Sequence, residues 1–248
     1  AGRGREDLTA ATIVTIDPPD ARDYDDAISL VGDGDGRVTL GVHIADVSHF
    51  VPEGSPLDAE ARRRGTSVYF PRKVLPMLPE VLSNGVCSLQ PGERRFCKSV
   101  FLTYDADARV LSSRFAETVI RSAARLTYAQ AQAICDGKAD GFAAEVVRLV
   151  RAMERLARRI EARRREAGML SLDLPEVELV LDEAGKVVDA APADGVYTHR
   201  VIEMFMVEAN EAVSSLLTRL GRRHLRRIHP DPSHLGGKEL GGFLRACG

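Results

Sequence analysis

The segment Thr15-Ile16-Asp17-Pro18-Pro19-Asp20-Ala21-Arg22-Asp23-Tyr24-Asp25-Asp26-Ala27-Ile28 constrains this chain more than any other. Five aspartates fall within ten residues, offset only by Arg22. Two carboxylates ~4 Å apart repel by about 4 kcal/mol at an effective dielectric near 20. A fold that gathers several of them must supply a cation or raise their pKa values. The segment lies between two apolar, β-patterned runs, and its two prolines keep it out of a central strand. It is expected to be an ordered loop at the end of a sheet, where carboxylates can converge. Asp25 and Asp26 are adjacent, so in a regular strand they would face opposite ways. Both serve one site only if the backbone turns there.

An all-oxygen ligand set suits a hard cation such as Mg2+ or Mn2+. The chemistry it supports is phosphoryl transfer, with paired metals about 3.5–4 Å apart clamping the attacking water and the leaving oxygen. A structural cation loop and a plain acidic turn remain open as alternatives. The EF-hand pattern does not fit: counted from Asp17, the glycine position holds Arg22 and the final glutamate position holds Ile28.

Strand patterns dominate the first half of the chain. Thr12–Ile16 alternates and is β-branched. Ala27–Val31 and Val38–Val47 flank a Gly/Asp loop and read as a hairpin. Lys98–Tyr104 with Val110–Glu117 reads as a second hairpin, and Val177–Leu181 with Val187–Ala190 as a third. A helix is expected to start at Ser55-Pro56 and stop at Gly65, and a short one from Thr127 to Gly137. Long amphipathic helices are expected over Phe142–Ala167 and Thr198–Leu220, with Gly168 and Gly221 as stops. The fold class is therefore α+β: a mixed sheet with hairpins and packed helices.

With 248 residues and 44% apolar content the chain can bury a proper core, and a net charge of −2 does not mark a nucleic-acid binder. The four cysteines lack CxxC spacing, which argues for a reducing cytoplasm over a disulfide framework or zinc site. No apolar run reaches the ~18 residues of a membrane span. The chain opens without Met and closes in a helix-like pattern, so both ends are expected to be cuts through a longer protein.

Thr15-Ile16-Asp17 followed by Asp20-Ala21-Arg22-Asp23-Tyr24-Asp25-Asp26-Ala27 resembles the signature of the ribonuclease II / ribonuclease R family, the RNB catalytic domain, and is closer to the ribonuclease R branch. The likeness continues through Gly41–Val51, Gly65–Pro71, Met77–Asn84, Cys87-Ser88-Leu89, Ile202–Ala212 and Arg227–Pro232. It implies one RNB-like catalytic domain over 1–248, truncated on its C-terminal side. It implies 3′-to-5′ hydrolysis of single-stranded RNA to nucleoside 5′-monophosphates with Mg2+, or Mn2+. By position, Asp17 and Asp26 would be the firmest metal ligands, and Asp23 would sit near a metal or the terminal nucleotide. Asp25 would be the catalytic aspartate, ordering a second metal and the water. Asp20 falls outside that set. Tyr69 matches the aromatic that stacks on terminal bases.

Some family features are missing. A later arginine-bearing segment and the flanking cold-shock and S1 barrels are absent from these residues. Leu172 stands where many members carry a second stacking aromatic, and Gly195-Val196-Tyr197-Thr198-His199 departs from the family's usual stretch. The isolated fragment is accordingly expected to degrade RNA poorly. A non-catalytic RNA-binding scaffold with a structural cation is the alternative reading. His43, Asp46 and His49 could be taken for a metal constellation, but strand histidines more often belong to the core or the surface. The arginines of the 142–167 helix read as a solvated face, with Glu154 and Glu161 pairing locally.

Overall fold

The computed structural model describes residues 4–32, 34–70, 73–170, 177–182, 185–192, 195–228 and 234–247. The strands are β1 (Glu6–Asp7), β2 (Val14–Asp17), β3 (Asp26–Gly32), β4 (Val38–Ala45), β5 (Val68–Phe70), β6 (Lys73–Leu75), β7 (Arg94–Tyr104), β8 (Val110–Arg121), β9 (Ala124–Thr127), β10 (Val177–Leu181) and β11 (Val187–Pro192). The helices are α1 (Val47–Phe50), α2 (Pro56–Arg64), α3 (Tyr128–Cys135), α4 (Ala144–Glu166), α5 (Tyr197–Arg219) and α6 (His234–Cys247), with a π-helical turn at Val81–Val86. The chain divides into two compact units, 1–213 and 214–248.

The first unit is built on a seven-stranded mixed sheet in the order β1-β8-β7-β4-β3-β2-β9. β1 runs parallel to β8 and β2 parallel to β9, while the remaining neighbours are antiparallel. The three expected hairpins form. β3 pairs with β4 from Asp26↔Ile44 to Gly32↔Val38, β7–β8 extends beyond the expected ends to Arg94 and Arg121, and β10–β11 stands as its own two-stranded sheet. The β4 strand stops at Ala45, earlier than the expected Val47, because α1 begins there.

Strand alternation divides the core. Val14, Ile16, Ile28, Val42 and Leu102 face α3, α4 and α5 in the larger cluster, with Met153, Leu156, Ile160 and Phe205 against them. Ile13, Ala27, Ala45, Cys97 and Ile120 face the other way, under Cys87 and Leu89. The helix starts follow local chemistry. Ser55 accepts from the Asp58 N–H at 3.2 Å, and Gly65 closes α2 at φ 73°, where a side chain would be strained. Thr127 and Gln130 form a reciprocal capping box on α3.

The arginine face of α4 is only partly the solvated face expected. Arg158 pairs with Glu154 at 2.7 Å and Arg165 with Glu161 at 2.8 Å, as expected. Arg163 and Arg164 instead turn inward to Glu208 of α5, at 2.5 and 2.9 Å, and Tyr104 donates its hydroxyl to the same carboxylate at 3.0 Å. Glu208 is 4% exposed, and a carboxylate that buried needs such partners.

His43, Asp46 and His49 do not form a metal constellation. Asp46 pairs with Arg5 at 2.5 Å, and His49 sits edge-on to Phe50 and Phe96. His43 is fully buried in β4. Its Nε2 meets Ser29 Oγ at 2.9 Å and its Nδ1 meets Ser99 Oγ at 2.7 Å, and Ser99 continues to Thr118 Oγ1 at 2.7 Å. This chain of hydroxyls and imidazole ties β3, β4, β7 and β8 together. Only glycine fits at Gly41 beside it, because a Cβ there would lie 2.4 Å from Ser29 Oγ and 2.9 Å from His43 Nε2.

Burial lowers the His43 pKa to about 4. The folded ring stays neutral, while the unfolded ring takes up a proton below its ordinary value near 6.5. The stability that His43 contributes is thus present above pH 6.5 and lost as pH falls toward 4, by up to about 3 kcal/mol. Denaturant melts of wild type and His43→Asn across that window measure it. The difference between the two proteins should shrink as the medium is acidified; a difference independent of pH would mean the ring charges as easily inside as outside.

Candidate active site

The sheet places the aspartates as the loop reading requires. Asp17 is the last residue of β2 and is 8% exposed. Asp26 is the first residue of β3, the strand that pairs with β2 through Val14↔Ile28. Between them the chain runs without regular structure, carrying Asp23 and Asp25. The Asp25 carbonyl accepts the Ala45 N–H at 2.9 Å, which carries the β3–β4 ladder one residue past Asp26. Asp20 is exposed.

Electrostatics ties the four together. Burial raises the Asp17 pKa to about 7, and repulsion from Asp26 and Asp23 adds to it, against the nearby Thr15 hydroxyl and then the Arg125 charge. Asp26 is raised to about 6 by burial and then by Asp25. Asp25 reaches solvent, yet desolvation by the surrounding protein raises it, with Asp23 contributing. Asp17 Oδ2 is buried with no hydrogen-bond partner. The Thr15 hydroxyl lies near this carboxyl but is likewise unpartnered.

Tyr69 lies on the β5–β6 hairpin, 67% exposed, with its hydroxyl 3.5 Å from Asp23 Oδ2. Burial of its hydroxyl end and the Asp23 charge raise its pKa. An aromatic face thus stands open beside the carboxylates. Leu172, the other stacking position considered, lies outside the described residues.

Two residues near the carboxylates escaped the sequence reading. Tyr128 opens α3, and its pKa is raised by burial and by Asp26 and Asp17. His199, in the first turn of α5, stacks on it with ring centroids 3.7 Å apart. Thr198 fixes the pair by donating to the Tyr128 carbonyl at 2.8 Å. The signal lay in Ala124–Thr127: as β9 this stretch pairs in parallel with β2, Asp17↔Thr127, and sets Tyr128 at the site.

The residues suit a hard cation in part. The donors are all carboxylate oxygens, one of them buried and orphaned, and they repel one another. Among the described residues no three His, Cys, Asp or Glu side chains are already gathered into a metal-holding group. Such an open set fits Mg2+, which keeps several waters and binds through one or two carboxylates together with substrate phosphates.

The geometry matches known proteins. The RNB domain family matches residues 5–243. Ribonuclease R of Thermotoga maritima is 41% identical over 99% of this chain, which spans 35% of that protein. Ribonuclease R of Aquifex aeolicus is 40% identical over 98% of the chain, again 35% of that protein. The solved structure of Mycoplasma genitalium RNase R in complex with ribose-methylated single-stranded RNA superposes with a TM-score of 0.91 at 33% identity, covering 97% of this chain and 37% of that one. This chain thus spans about a third of the length of these relatives, and over that span it belongs to the RNB domain family.

Proposed function

We propose that the protein carrying this chain is a 3′-to-5′ hydrolytic exoribonuclease that acts on single-stranded RNA and releases nucleoside 5′-monophosphates with Mg2+ or Mn2+. The observation that supports it most is the set of four mutually repelling aspartates at the paired ends of β2 and β3, one with a buried, unpartnered oxygen. Asp17, Asp23 and Asp26 would hold the divalent cation. When bound, it supplies charge neutralisation at the phosphoryl oxygens and acidifies bound water. Asp25 orients the attacking water and takes up its proton, a role that its raised pKa favours. Tyr69 grips the terminal base by stacking, which needs no sequence readout. The RNA bound in the Mycoplasma relative supports the substrate class. The thiols of Cys87, Cys97 and Cys135 are free, as suits a cytoplasmic protein.

Three measurements on the full-length protein test this reading. With 5′-labelled single-stranded RNA and Mg2+, wild type should release mononucleotides, while Asp25→Asn should bind RNA and cut at least ~100-fold more slowly. If both bind and neither cuts, the domain is an RNA-binding scaffold. Tyr69→Ala should weaken RNA binding by about 1–3 kcal/mol; unchanged affinity in a folded variant rules out the stacking role. Asp26→Asn removes one repelling charge. In EDTA it should therefore be more stable than wild type, on the order of 1 kcal/mol after allowing for solvent screening. It should also gain less thermal stability when Mg2+ is added. A variant less stable in EDTA would show that Asp26 is held by attraction, not repulsion.

A further inference from the structure

We infer that Ser88 and Arg125, two side chains outside the aspartate loop, are positioning residues that fix its backbone and thereby aim Asp23 and Asp25. The loop between β2 and β3 cannot hold its own shape. Its one internal backbone hydrogen bond among the described residues runs from the Ala21 N–H to the Pro18 carbonyl at 3.2 Å, and two prolines remove further donors. Among the described residues, its other backbone hydrogen bonds come from outside. Ser88, fully buried, donates its hydroxyl to the Arg22 carbonyl at 2.8 Å and accepts the Tyr24 N–H at 3.2 Å. One hydroxyl therefore holds the peptide groups on both sides of Asp23. Next to it, the Leu89 N–H donates to the Tyr24 carbonyl at 2.8 Å.

The other end is held by Arg125 of β9. Its guanidinium donates to the Pro18 and Pro19 carbonyls, the latter at 3.1 Å, and lies over the Tyr24 ring at 5.4 Å. The parallel pairing Thr15↔Arg125 sets it at the root of the loop, where its charge also counters Asp17. Held in this way the loop has two sides. Arg22 and Tyr24 line an open groove of about 640 Å³ with Glu80, Asn84, Gln90 and Glu93, while none of the four aspartates lines it. Asp23 instead meets Tyr69. A hydrogen-bonded carbonyl and N–H flanking a carboxylate restrict its reach in the way that outer partners orient metal ligands.

The inference rests on the hydrolytic reading of the site. It is tested in the full-length protein with Ser88→Ala, Arg125→Met and Arg125→Lys. The readouts are kcat and KM on single-stranded RNA, thermal stability, and Mn2+ binding without RNA, followed by electron paramagnetic resonance of the free ion. Ser88→Ala and Arg125→Met should lower kcat and weaken Mn2+ binding by ~10- to 100-fold each, with KM changed by no more than about two-fold. Arg125→Lys, which keeps a donor and a charge, should recover part of both losses. Folded variants with wild-type kcat and Mn2+ affinity overturn the inference. So does a rise in KM alone, which would mean these groups touch RNA. If Ser88→Ala fails to fold, the Arg125 pair decides. If wild type binds Mn2+ but does not cut RNA, the hydrolytic reading fails and Mn2+ affinity alone judges the positioning role; if wild type does neither, both fall.

Discussion

Repulsion among buried carboxylates is the constraint around which this sheet is arranged. Asp17 and Asp26 end two strands that pair with each other, and burial together with neighbouring charge pushes both toward their neutral forms. A pliant chain would relax by fraying those strand ends. Here β3 is zipped to β4 over its whole length, β4 to β7, and β7 to β8. The Ser29–His43–Ser99–Thr118 chain stitches the same four strands on one face, and the larger hydrophobic cluster loads the other. Unfavourable electrostatics at the tip is thus offset by packing and hydrogen bonds in the body, the usual relation between a functional site and its scaffold.

The same division explains what the sequence could disclose. Hairpins and long helices were legible because their signals are local: alternation around a Gly/Asp turn, an apolar stripe at helical spacing, a Ser or Thr cap. The aspartate cluster was legible because five like charges in ten residues have few physical resolutions. β1 and β9 were not, since strands of two and four residues owe their existence to a partner already in place. Tyr128 and His199 were missed for that reason. They are far apart in sequence, and they meet only because β9 delivers α3 to the end of β2.

Glu208 illustrates a different blind spot. On a helical wheel it is one acid in a mixed stripe, and Arg163 and Arg164 are two of many arginines on an exposed face. Only the crossing of α4 with α5 over the β7 end of the sheet shows that these charges satisfy one another and Tyr104. Removing one partner of such a group typically costs about 3–5 kcal/mol, because the remaining charge stays buried. Periodicity reports which face is apolar; it cannot report which polar residue has been taken inside.

Charge placement at the loop argues most directly that its acidity serves a function. Two arginines were available as internal counter-ions, Arg22 within the loop and Arg125 at its root. Either could have quenched the repulsion permanently. Arg22 lines the groove on the side that the aspartates do not. Arg125 donates from one guanidinium nitrogen, Nη2, to the Pro18 and Pro19 carbonyls, and although its charge opposes the shift, Asp17 still rises to about 7. A structural acidic turn would gain stability by letting either arginine pair with the carboxylates. This fold orders the loop backbone with Arg125 instead and leaves the site short of positive charge, which is the condition a divalent cation and a phosphate-bearing substrate together would satisfy.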